Sequence, residues 1–370
     1  MTDPRAEGDS VQDPRRAASS QPRAARGTRT SDYEYHLPEH LVAQHPADRR
    51  DASRLLKLDR ETGEVTHGTF PDIIDLVPAG DILVMNRTRV IPARLRGRKP
   101  TGGEAEVLLV NPEGDSDLRW RALVRPGRRL RAGQRVEIAD ELAVEIEAEH
   151  EDGSRTVRLI THLPLAEALD RHGSVPLPPY VEREATAADR ERYQTVYASE
   201  RGSVAAPTAG LHFTPEILKA LEEKGVRTAW LTLHVGPGTF RPVEVEDPVG
   251  HAMHSEWYHL PDETAAEINR IRAGGGSLWA VGTTTVRVLE SVADEDGTLA
   301  GASGWTDIFI HPPYRYRAVD HLLTNFHLPR STLMMLVAAF AGYEETMAAY
   351  RAAVEEGYRF YSFGDAMVIV

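Results

Sequence analysis

The feature that most constrains the fold is a change of pattern between about residues 90 and 161. Before and after this segment, helix and strand patterns alternate, which is typical of a sheet covered by helices. Within the segment, short stretches of alternating apolar and polar residues are separated by turns at Gly102-Gly103, Gly127 and Asp152-Gly153. Such stretches are typical of a small antiparallel barrel or sandwich. The sequence therefore predicts an α/β fold that contains a small all-β unit.

The first thirty residues differ from the rest of the chain. Residues 1–30 are rich in Arg, Ala, Ser and Asp and contain almost no large apolar side chains. We expect this extension to be disordered, because it cannot bury enough apolar surface to offset the entropy lost on ordering.

Composition narrows the location and the chemistry. The chain has 370 residues and no cysteine, which excludes disulfides, a thiolate nucleophile and cysteine-ligated zinc. The longest strongly apolar run, residues 333–341, is about half as long as a bilayer span, and the N-terminus lacks the apolar segment of a signal peptide. We therefore expect a cytoplasmic protein, with a monomer as the working assumption.

Cations are concentrated in two segments, although the net charge is −13. Residues 87–99 contain six cations and no acid, and residues 121–135 contain six arginines and no acid. One explanation is two solvated faces of an antiparallel sheet. Two Arg-rich segments in an otherwise acidic chain favour a local polyanion site, since guanidinium groups bind phosphate bidentately.

Residues 324–332 place an amide, an imidazole, a guanidinium and several hydroxyls directly before an apolar segment. We predict a buried helix from about residue 333 to 341, with an extension through Tyr350 as one alternative. A helix start has unpaired backbone N–H groups and favours anions. Ser331 or Thr332 is sufficient as a cap, which leaves Asn325 and His327 as candidate ligand-binding residues.

Three more segments are predicted to lie next to a strand end or a helix start. Residues 203–214 are mostly small and either allow a ligand close to the backbone or form a packed turn. Residues 234–240 form a glycine-kinked loop after a strand, the usual place for a site in an open α/β sheet. Residues 282–287 combine a glycine, three threonines and a helix start, which suits an anion or a ribose hydroxyl. The candidate residues are Thr208, Gly210, His212, Gly236, Gly238, Thr239, Thr283, Thr284 and Thr285.

His251, His254 and Glu256 suggest a metal site, but their spacing does not match His-Glu-x-x-His. If the segment is extended, His254 and Glu256 lie on one face and His251 on the other. An acid/base or orienting pair of His254 with Glu256 is therefore favoured over metal binding. A solvated strand edge remains an alternative.

Residues 304–314 combine aromatic side chains, an acid and an imidazole at a predicted strand and turn. Trp305 or Tyr314 is suited to stack on a nucleobase. Each aromatic residue alone is more often part of a core, but the cluster favours a pocket.

Eight segments occur in the order found in one known family: residues 89–95, 192–197, 205–213, 234–240, 253–256, 282–285, 324–329 and 358–367. On these segments, residues 31–370 resemble the QueA family, the S-adenosylmethionine:tRNA ribosyltransferase-isomerases of queuosine biosynthesis. The resemblance implies a larger α/β domain, residues 31–89 and 162–370, with an antiparallel β-barrel inserted at residues 90–161.

The resemblance also implies an unusual reaction. The ribosyl part of S-adenosylmethionine is transferred to the aminomethyl group of a 7-deazaguanine at the tRNA wobble position and rearranged to an epoxycyclopentanediol, and adenine and methionine leave. S-adenosylmethionine is a co-substrate, and no prosthetic group or metal is expected, because the sulfonium is the activating group.

The implied roles fall on residues already noted. A sulfonium acidifies the adjacent ribose C–H, so a modest base is sufficient, and the candidates are His212, Asp307 and His254, oriented by Glu256. The departing adenine suits a hydrogen bond from His327 or Asn325. The threonine loop at residues 283–285 suits the ribose hydroxyls.

We predict that the Arg-rich barrel binds the phosphates of the anticodon stem-loop, and the candidates are Arg89, Arg94, Arg96, Arg125, Arg128 and Arg129. Two other classes of protein remain as alternatives. One is a metal-dependent hydrolase built on His251, His254 and Glu256, which the metal content of purified protein tests. The other is an RNA-binding accessory protein with the barrel as an OB-like reader, which titration with S-adenosylmethionine and tRNA tests.

Overall fold

A computed structural model of the protein describes residues 26–236, 238 and 242–370. Most of the predicted disordered extension, residues 1–30, lies outside these ranges. In its last part, Thr30 is buried and begins a short 3-10 turn, Thr30–Tyr33. None of the described helices combines the length and the apolarity that a bilayer crossing requires.

The described residues form strands and helices in both α/β and all-β segments. In chain order the strands are β1 Arg54–Leu58, β2 Val65–Thr69, β3 Ile82–Asn86, β4 Thr88–Val90, β5 Arg94–Arg98, β6 Glu104–Pro112, β7 Arg119–Arg125, β8 Arg135–Ala139, β9 Leu142–Glu149, β10 Arg155–Thr161, β11 Gly173–Ser174, β12 Glu200–Ser203, β13 Arg227–Leu233, β14 Glu256–Leu260, β15 Leu278–Val281, β16 Ala302–Thr306, β17 His321–Asn325 and β18 Ala366–Ile369. The helices are α1 Ile73–Leu76, α2 Leu165–His172, α3 Asp189–Arg192, α4 Pro215–Lys224, α5 Asp262–Ala273, α6 Thr283–Val292, α7 Thr332–Ala341 and α8 Tyr343–Glu355.

The larger sheet has nine strands in the order β16-β14-β13-β3-β15-β17-β18-β1-β2. Its side chains alternate between two apolar layers. Ile82 and Val84 of β3 share one apolar cluster with residues of α5, α6, α7 and α8, whereas Leu83 and Met85 share another with residues of α1 and α4. Every residue of β3 and β15 is buried, as expected of strands covered on both faces.

Six of the seven strands of the smaller sheet form a closed antiparallel barrel. They follow the order β5-β6-β7-β10-β9-β8, and the pairing of Arg98 with Glu137 joins β8 to β5. The seventh strand, β11, pairs with β5. Val107, Val144 and Val157 are fully buried inside the barrel. The predicted fold class, a larger α/β unit with a small antiparallel barrel, is confirmed. The domain boundaries stay a prediction.

The topology brings one end of many strands to a single edge of the larger sheet. The central strands β13, β3, β15 and β17 are mutually parallel, so their carboxyl ends lie side by side. Strands β14 and β18 run antiparallel to their neighbours β13 and β17, so they begin at that same edge. The edge therefore gathers the starts of β14, β18 and β1 and the loops after β13, β3, β15, β16 and β17. Ligands of open α/β sheets bind at this carboxyl edge.

Candidate functional site

Asn325, the last residue of β17, has a fixed orientation. Its Nδ2 donates to the carbonyl oxygen of Tyr361 at 3.0 Å and lies 3.2 Å from Nε2 of His212. Two acceptors around Nδ2 place the amide nitrogen on that side. The opposite atom, Oδ1, has no hydrogen-bond partner among the described residues, although Asn325 is only 2% exposed. Because an unsatisfied buried acceptor costs about 1–3 kcal/mol, Oδ1 is suited to a donor group of a ligand.

His212 supports this amide from behind. Its Nδ1 lies 2.7 Å from Oγ of Ser53, and its ring stacks on Phe70 at 5.1 Å. Since Nε2 accepts from Asn325, the proton is assigned to Nδ1, which donates to Ser53. Burial lowers the pKa of His212 to about 4, so the ring is neutral at pH 7. With both nitrogens occupied, His212 is better placed to orient Asn325 than to remove a proton from a substrate.

His327 is also buried and neutral. Its Nε2 lies 2.8 Å from Oγ1 of Thr324, and burial lowers its pKa to about 3. With Thr208, Asn325 and Tyr361 it lines a cavity of about 40 Å³. A cavity of this size holds a water molecule or a small substituent, not a whole nucleoside.

The threonine loop lies next to this cluster. Thr284 Oγ1 accepts from Nδ2 of Asn86 at 3.2 Å, and Thr285 Oγ1 donates to the carbonyl oxygen of Val281 at 2.7 Å. The hydroxyl proton of Thr284 remains available as a donor.

At Gly210 the packed-turn interpretation has direct support, because a Cβ there would lie 2.0 Å from the Tyr197 hydroxyl oxygen.

Glu256, the first residue of β14, forms a buried ion pair with Arg287 of α6. Glu256 is 3% exposed and Arg287 4%. The second carboxylate oxygen, Oε1, accepts from the backbone N–H of Gly236 at 2.7 Å. Arg287 also lies 3.4 Å from the carbonyl oxygens of Thr306 and Ile308. This pair therefore connects α6 to the loop after β13, to the start of β14 and to the end of β16.

His254 differs from the other histidines of the site because it is exposed. Its ring lies against Gly238, where a Cβ would come 2.2 Å from Cδ2. Both residues line a cavity of about 340 Å³ together with Gly236, Glu256 and residues of the barrel. This volume lies within the range of about 300–1,000 Å³ that is typical of small-molecule sites.

Two predicted residues, Asp307 and Tyr314, line neither of these cavities. Asp307 is exposed just after β16. Tyr314 donates to Oε2 of Glu290 at 3.2 Å, which places it about 10 Å along α6 from Thr283. Thr239 lies outside the described residues.

The predicted RNA-binding arginines differ in whether their guanidinium groups already have a partner in the protein. Arg94 lies 3.7 Å from Glu106, and Arg96 lies 2.6 Å from Glu184, so these guanidinium groups already have carboxylate partners. Arg89 is exposed on β4 and donates to the carbonyl oxygen of Ala198 at 3.4 Å. The remaining three are exposed around the turn Gly127–Arg129 and have no carboxylate partner within the described ranges: Arg125, Arg128 and Arg129. Arg131, which the sequence prediction omitted, is exposed beside them.

Comparison with known proteins identifies the family. Residues 30–369 match a family model described as "Queuosine biosynthesis protein". The chain belongs to this family. A family relative from Symbiobacterium thermophilum, named S-adenosylmethionine:tRNA ribosyltransferase-isomerase, is 54% identical over 344 residues, which are 92% of this chain and 100% of the relative. A relative of the same name from Clostridium kluyveri is 52% identical over 341 residues, 92% of this chain and 99% of the relative.

A solved structure of the family supports the fold. The crystal structure of S-adenosylmethionine tRNA ribosyltransferase from Thermotoga maritima is 39% identical, covers 91% of this chain and 99% of its own, and superposes with a TM-score of 0.53. The family resemblance inferred from the eight sequence segments is thus confirmed.

For the metal alternative, the structure provides little support. Among the described residues, no three His, Asp or Glu side chains lie close enough together to hold a metal ion. Glu256, the acid of the suggested site, is bound by Arg287 and Gly236.

The buried histidine predicts a pH dependence of stability in this queuosine-family protein. The pKa of His212 is lowered from 6.5 to about 4, so between these values the unfolded chain binds a proton that the folded chain does not, and the free energy of unfolding falls as the pH is lowered. Between pH 7 and pH 5, we expect the free energy of unfolding of His212→Asn to fall by about 2 kcal/mol less than that of the wild type. Urea denaturation at both pH values measures this difference. His40→Asn, at an exposed histidine, is the control, and an unchanged pH dependence in His212→Asn would contradict the assignment.

Proposed function

We propose that this chain transfers and isomerises the ribosyl moiety of S-adenosylmethionine onto the aminomethyl group of 7-aminomethyl-7-deazaguanine at the tRNA wobble position. The products are epoxyqueuosine-tRNA, adenine and methionine. The observation that carries this proposal is the identity of 54% over 92% of the chain to a relative that bears the name of this activity. The proposal includes a cytoplasmic, monomeric enzyme. Its α/β domain comprises residues 31–89 and 162–370, and its barrel domain comprises residues 90–161.

S-adenosylmethionine is proposed to lie along the carboxyl edge of the sheet. The loops at Gly236 and Asn325 are separated by three strand spacings, about 14 Å. The 340 Å³ cavity beside Gly236, Gly238 and His254 suits the ribose and its sulfonium. At the other end, Oδ1 of Asn325 accepts from the exocyclic amine of adenine, and the hydroxyl of Thr284 lies between the two.

His254 is the proposed base of this site. The proton at the ribose carbon next to the sulfonium passes to the imidazole, and the electron pair of the broken C–H bond stays on carbon, where the positive sulfur stabilises it. An exposed imidazole at the cavity is able to take up this proton. His212 and His327 are less suited, because burial lowers the pKa of both to about 4 and about 3. The Glu256–Arg287 pair then acts as the support that holds the Gly236 loop.

Transfer of isotope from differently labelled S-adenosylmethionine tests the function. With tRNA that carries the aminomethyl-deazaguanine, ribose label is expected to enter the RNA while one adenine is released per label, and methyl label is expected to stay with methionine. Methyl label in the RNA would indicate a methyltransferase. Binding of tRNA without any transfer would favour the accessory RNA-binding protein.

The arginines around Gly127–Arg129 predict a salt dependence of tRNA binding. Each phosphate contact contributes about 0.7 to 0.9 to the slope of log affinity against log salt concentration. The triple variant R125A/R128A/R129A is therefore expected to lower the magnitude of this slope by about 2, as measured by filter binding. The control, R119A/R135A/R158A, removes barrel arginines that lie 2.9, 2.7 and 3.0 Å from Glu147, Glu137 and Glu147 and should keep the wild-type slope. Equal slopes for all three proteins would refute these phosphate contacts.

A further inference from the structure

Trp305 presents an exposed indole to the cavity of the site. It is 54% exposed, whereas the other large apolar side chains that are exposed in the described ranges are valines. It lines the same 340 Å³ cavity as His254 and Gly238. It lies on β16, the edge strand of the larger sheet, where it pairs with Trp257 of β14. The cavity therefore has one flat aromatic wall beside the proposed base.

The opposite wall belongs to the barrel and carries excess negative charge. Arg121 donates to Glu113 at 3.3 Å and to Asp152 at 3.2 Å, so one guanidinium faces two carboxylates. Burial alone would raise the pKa of Asp152, but hydrogen bonds from Ser154 and from Arg121 lower it to about 2. Thr156 donates to the second oxygen of Glu113 at 2.7 Å. A wall with two carboxylates and one guanidinium suits a cation or a group rich in N–H donors, not a phosphate.

The chemistry of this wall distinguishes the two bases of the reaction. A guanine-type ring offers ring N–H and amino donors on one edge, while its 7-aminomethyl substituent projects from the other side of the ring. A carboxylate accepts two parallel N–H bonds of this kind. Adenine has its exocyclic amine but no ring N–H at that edge. Enzymes that act on a base in RNA or DNA also take it out of the stack and hold it against aromatic side chains.

We propose that the wobble 7-aminomethyl-7-deazaguanine, flipped out of the anticodon loop, binds in this cavity, stacked on Trp305 with its N–H donors toward Glu113 and Asp152. The inference rests on the proposed function and adds the site of the accepting base. It places the aminomethyl nitrogen next to the ribose carbon that His254 faces. Trp305 is then a substrate-binding residue, and the barrel supplies recognition of the base in addition to phosphate contacts.

Steady-state kinetics of two substitutions at Trp305 test the stacking. Trp305→Ala is expected to raise the KM for modified tRNA by about 5- to 150-fold, since stacking of a base on an aromatic side chain is worth about 1–3 kcal/mol. Trp305→Phe should retain most of the wild-type KM, because a phenyl ring still stacks. Affinity for S-adenosylmethionine, measured by calorimetry, should change less than twofold in both. Val249→Ala, which trims an apolar side chain that is 76% exposed and does not line this cavity, is the control.

A charge-removing substitution tests the opposite wall. Glu113→Gln keeps the size of the side chain, so the barrel should stay folded, which far-UV circular dichroism checks. It is expected to reduce by about tenfold the preference for binding tRNA with guanine over tRNA with adenine at the wobble position, because the charged acceptor of the ring and amino N–H donors is lost. Transcribed tRNAs with guanine or adenine at that position are the comparison ligands.

The outcomes separate the inference from the function. An unchanged KM for tRNA in Trp305→Ala, with normal transfer of ribose label by wild type, would overturn the stacking role alone. A loss of S-adenosylmethionine affinity with an unchanged KM for tRNA would assign Trp305 to adenine and also overturn the inference. No transfer of ribose label by the wild-type enzyme would instead overturn the proposed function.

Discussion

Replacing His254 with alanine is expected to lower kcat by about 10²- to 10⁴-fold while the affinity for S-adenosylmethionine stays close to that of wild type. His254 is exposed and lines the cavity, whereas His212 and His327 are buried. Loss of the His254 imidazole removes the proposed acceptor of the ribose proton but little of the surface that binds the substrate. Single-turnover transfer of ribose label, with ligand affinity from calorimetry, measures both quantities.

The matched control for this prediction is His251→Ala. His251 lies three residues earlier in the same segment, and its ring packs edge-on against Phe309 at 5.5 Å. We expect its replacement to change kcat by less than about fivefold, which is far below the contribution of a general base. A comparable loss in both variants would favour a joint role of the two imidazoles, as in the metal alternative. Near-wild-type turnover of His254→Ala would eliminate His254 as the base.

The second large effect concerns stability. Replacing Arg287 with methionine is expected to lower the free energy of unfolding by about 3–5 kcal/mol, because the carboxylate of Glu256 would stay buried without its counter-charge. The double variant Glu256→Gln with Arg287→Met should recover a large part of this loss, since no unpaired charge remains. Urea denaturation of the two single variants and the double variant measures the coupling between the side chains.

A surface ion pair of the same chain provides the control. Arg270 and Glu267 lie 2.7 Å apart, and the Arg270 side chain is 66% exposed. Exposed pairs contribute about 0–1 kcal/mol, so Arg270→Met should have a small effect. If Arg287→Met were as mild as Arg270→Met, the Glu256–Arg287 pair would not hold the Gly236 loop as described.

Much of the α/β fold could be predicted from the sequence, because the capping residues and apolar patterns of its elements agree with the tertiary structure. Helix α4 begins after Thr214, whose side chain accepts from Ile217, and ends at Gly225 with φ 95°, as its capping residues predict. Strand β15, Leu278–Val281, coincides with an apolar stretch that ends at Gly282. The barrel strands also follow their alternation of apolar and polar residues, since one face of each is buried.

Other elements depend on contacts that the sequence does not show locally. The extension of the apolar helix through Tyr350 is wrong, because Gly342 adopts φ 96° and separates α7 from α8. Strand β17 was not predicted. Only its last two residues, Thr324 and Asn325, were considered, as part of a polar segment before a helix, although four of the five strand residues are buried between β15 and β18. Its buried hydroxyl and amide side chains conceal the strand pattern: Thr324 is hydrogen-bonded to His327, and the amide nitrogen of Asn325 donates to Tyr361.

The candidate site was likewise only partly predictable from the sequence. Most of its predicted residues follow strand ends or precede helices, and the parallel strands bring those positions to one edge, so their common location was predictable from the pattern, whereas their roles stay a prediction. Pairing was not predictable in this way. Glu256 was assigned to His254 two residues away, whereas its ionic partner is Arg287 on α6. Which barrel arginines are available for phosphate likewise depends on cross-strand partners such as Glu147.

The most direct test of the account is a crystal structure of the enzyme with S-adenosylmethionine bound. We predict that the ribose lies in the cavity beside Gly238 and His254, with the adenine amine donating to Oδ1 of Asn325. S-adenosylmethionine bound elsewhere, with Oδ1 of Asn325 still without a partner and His254 far from the ribose, would contradict the proposed site.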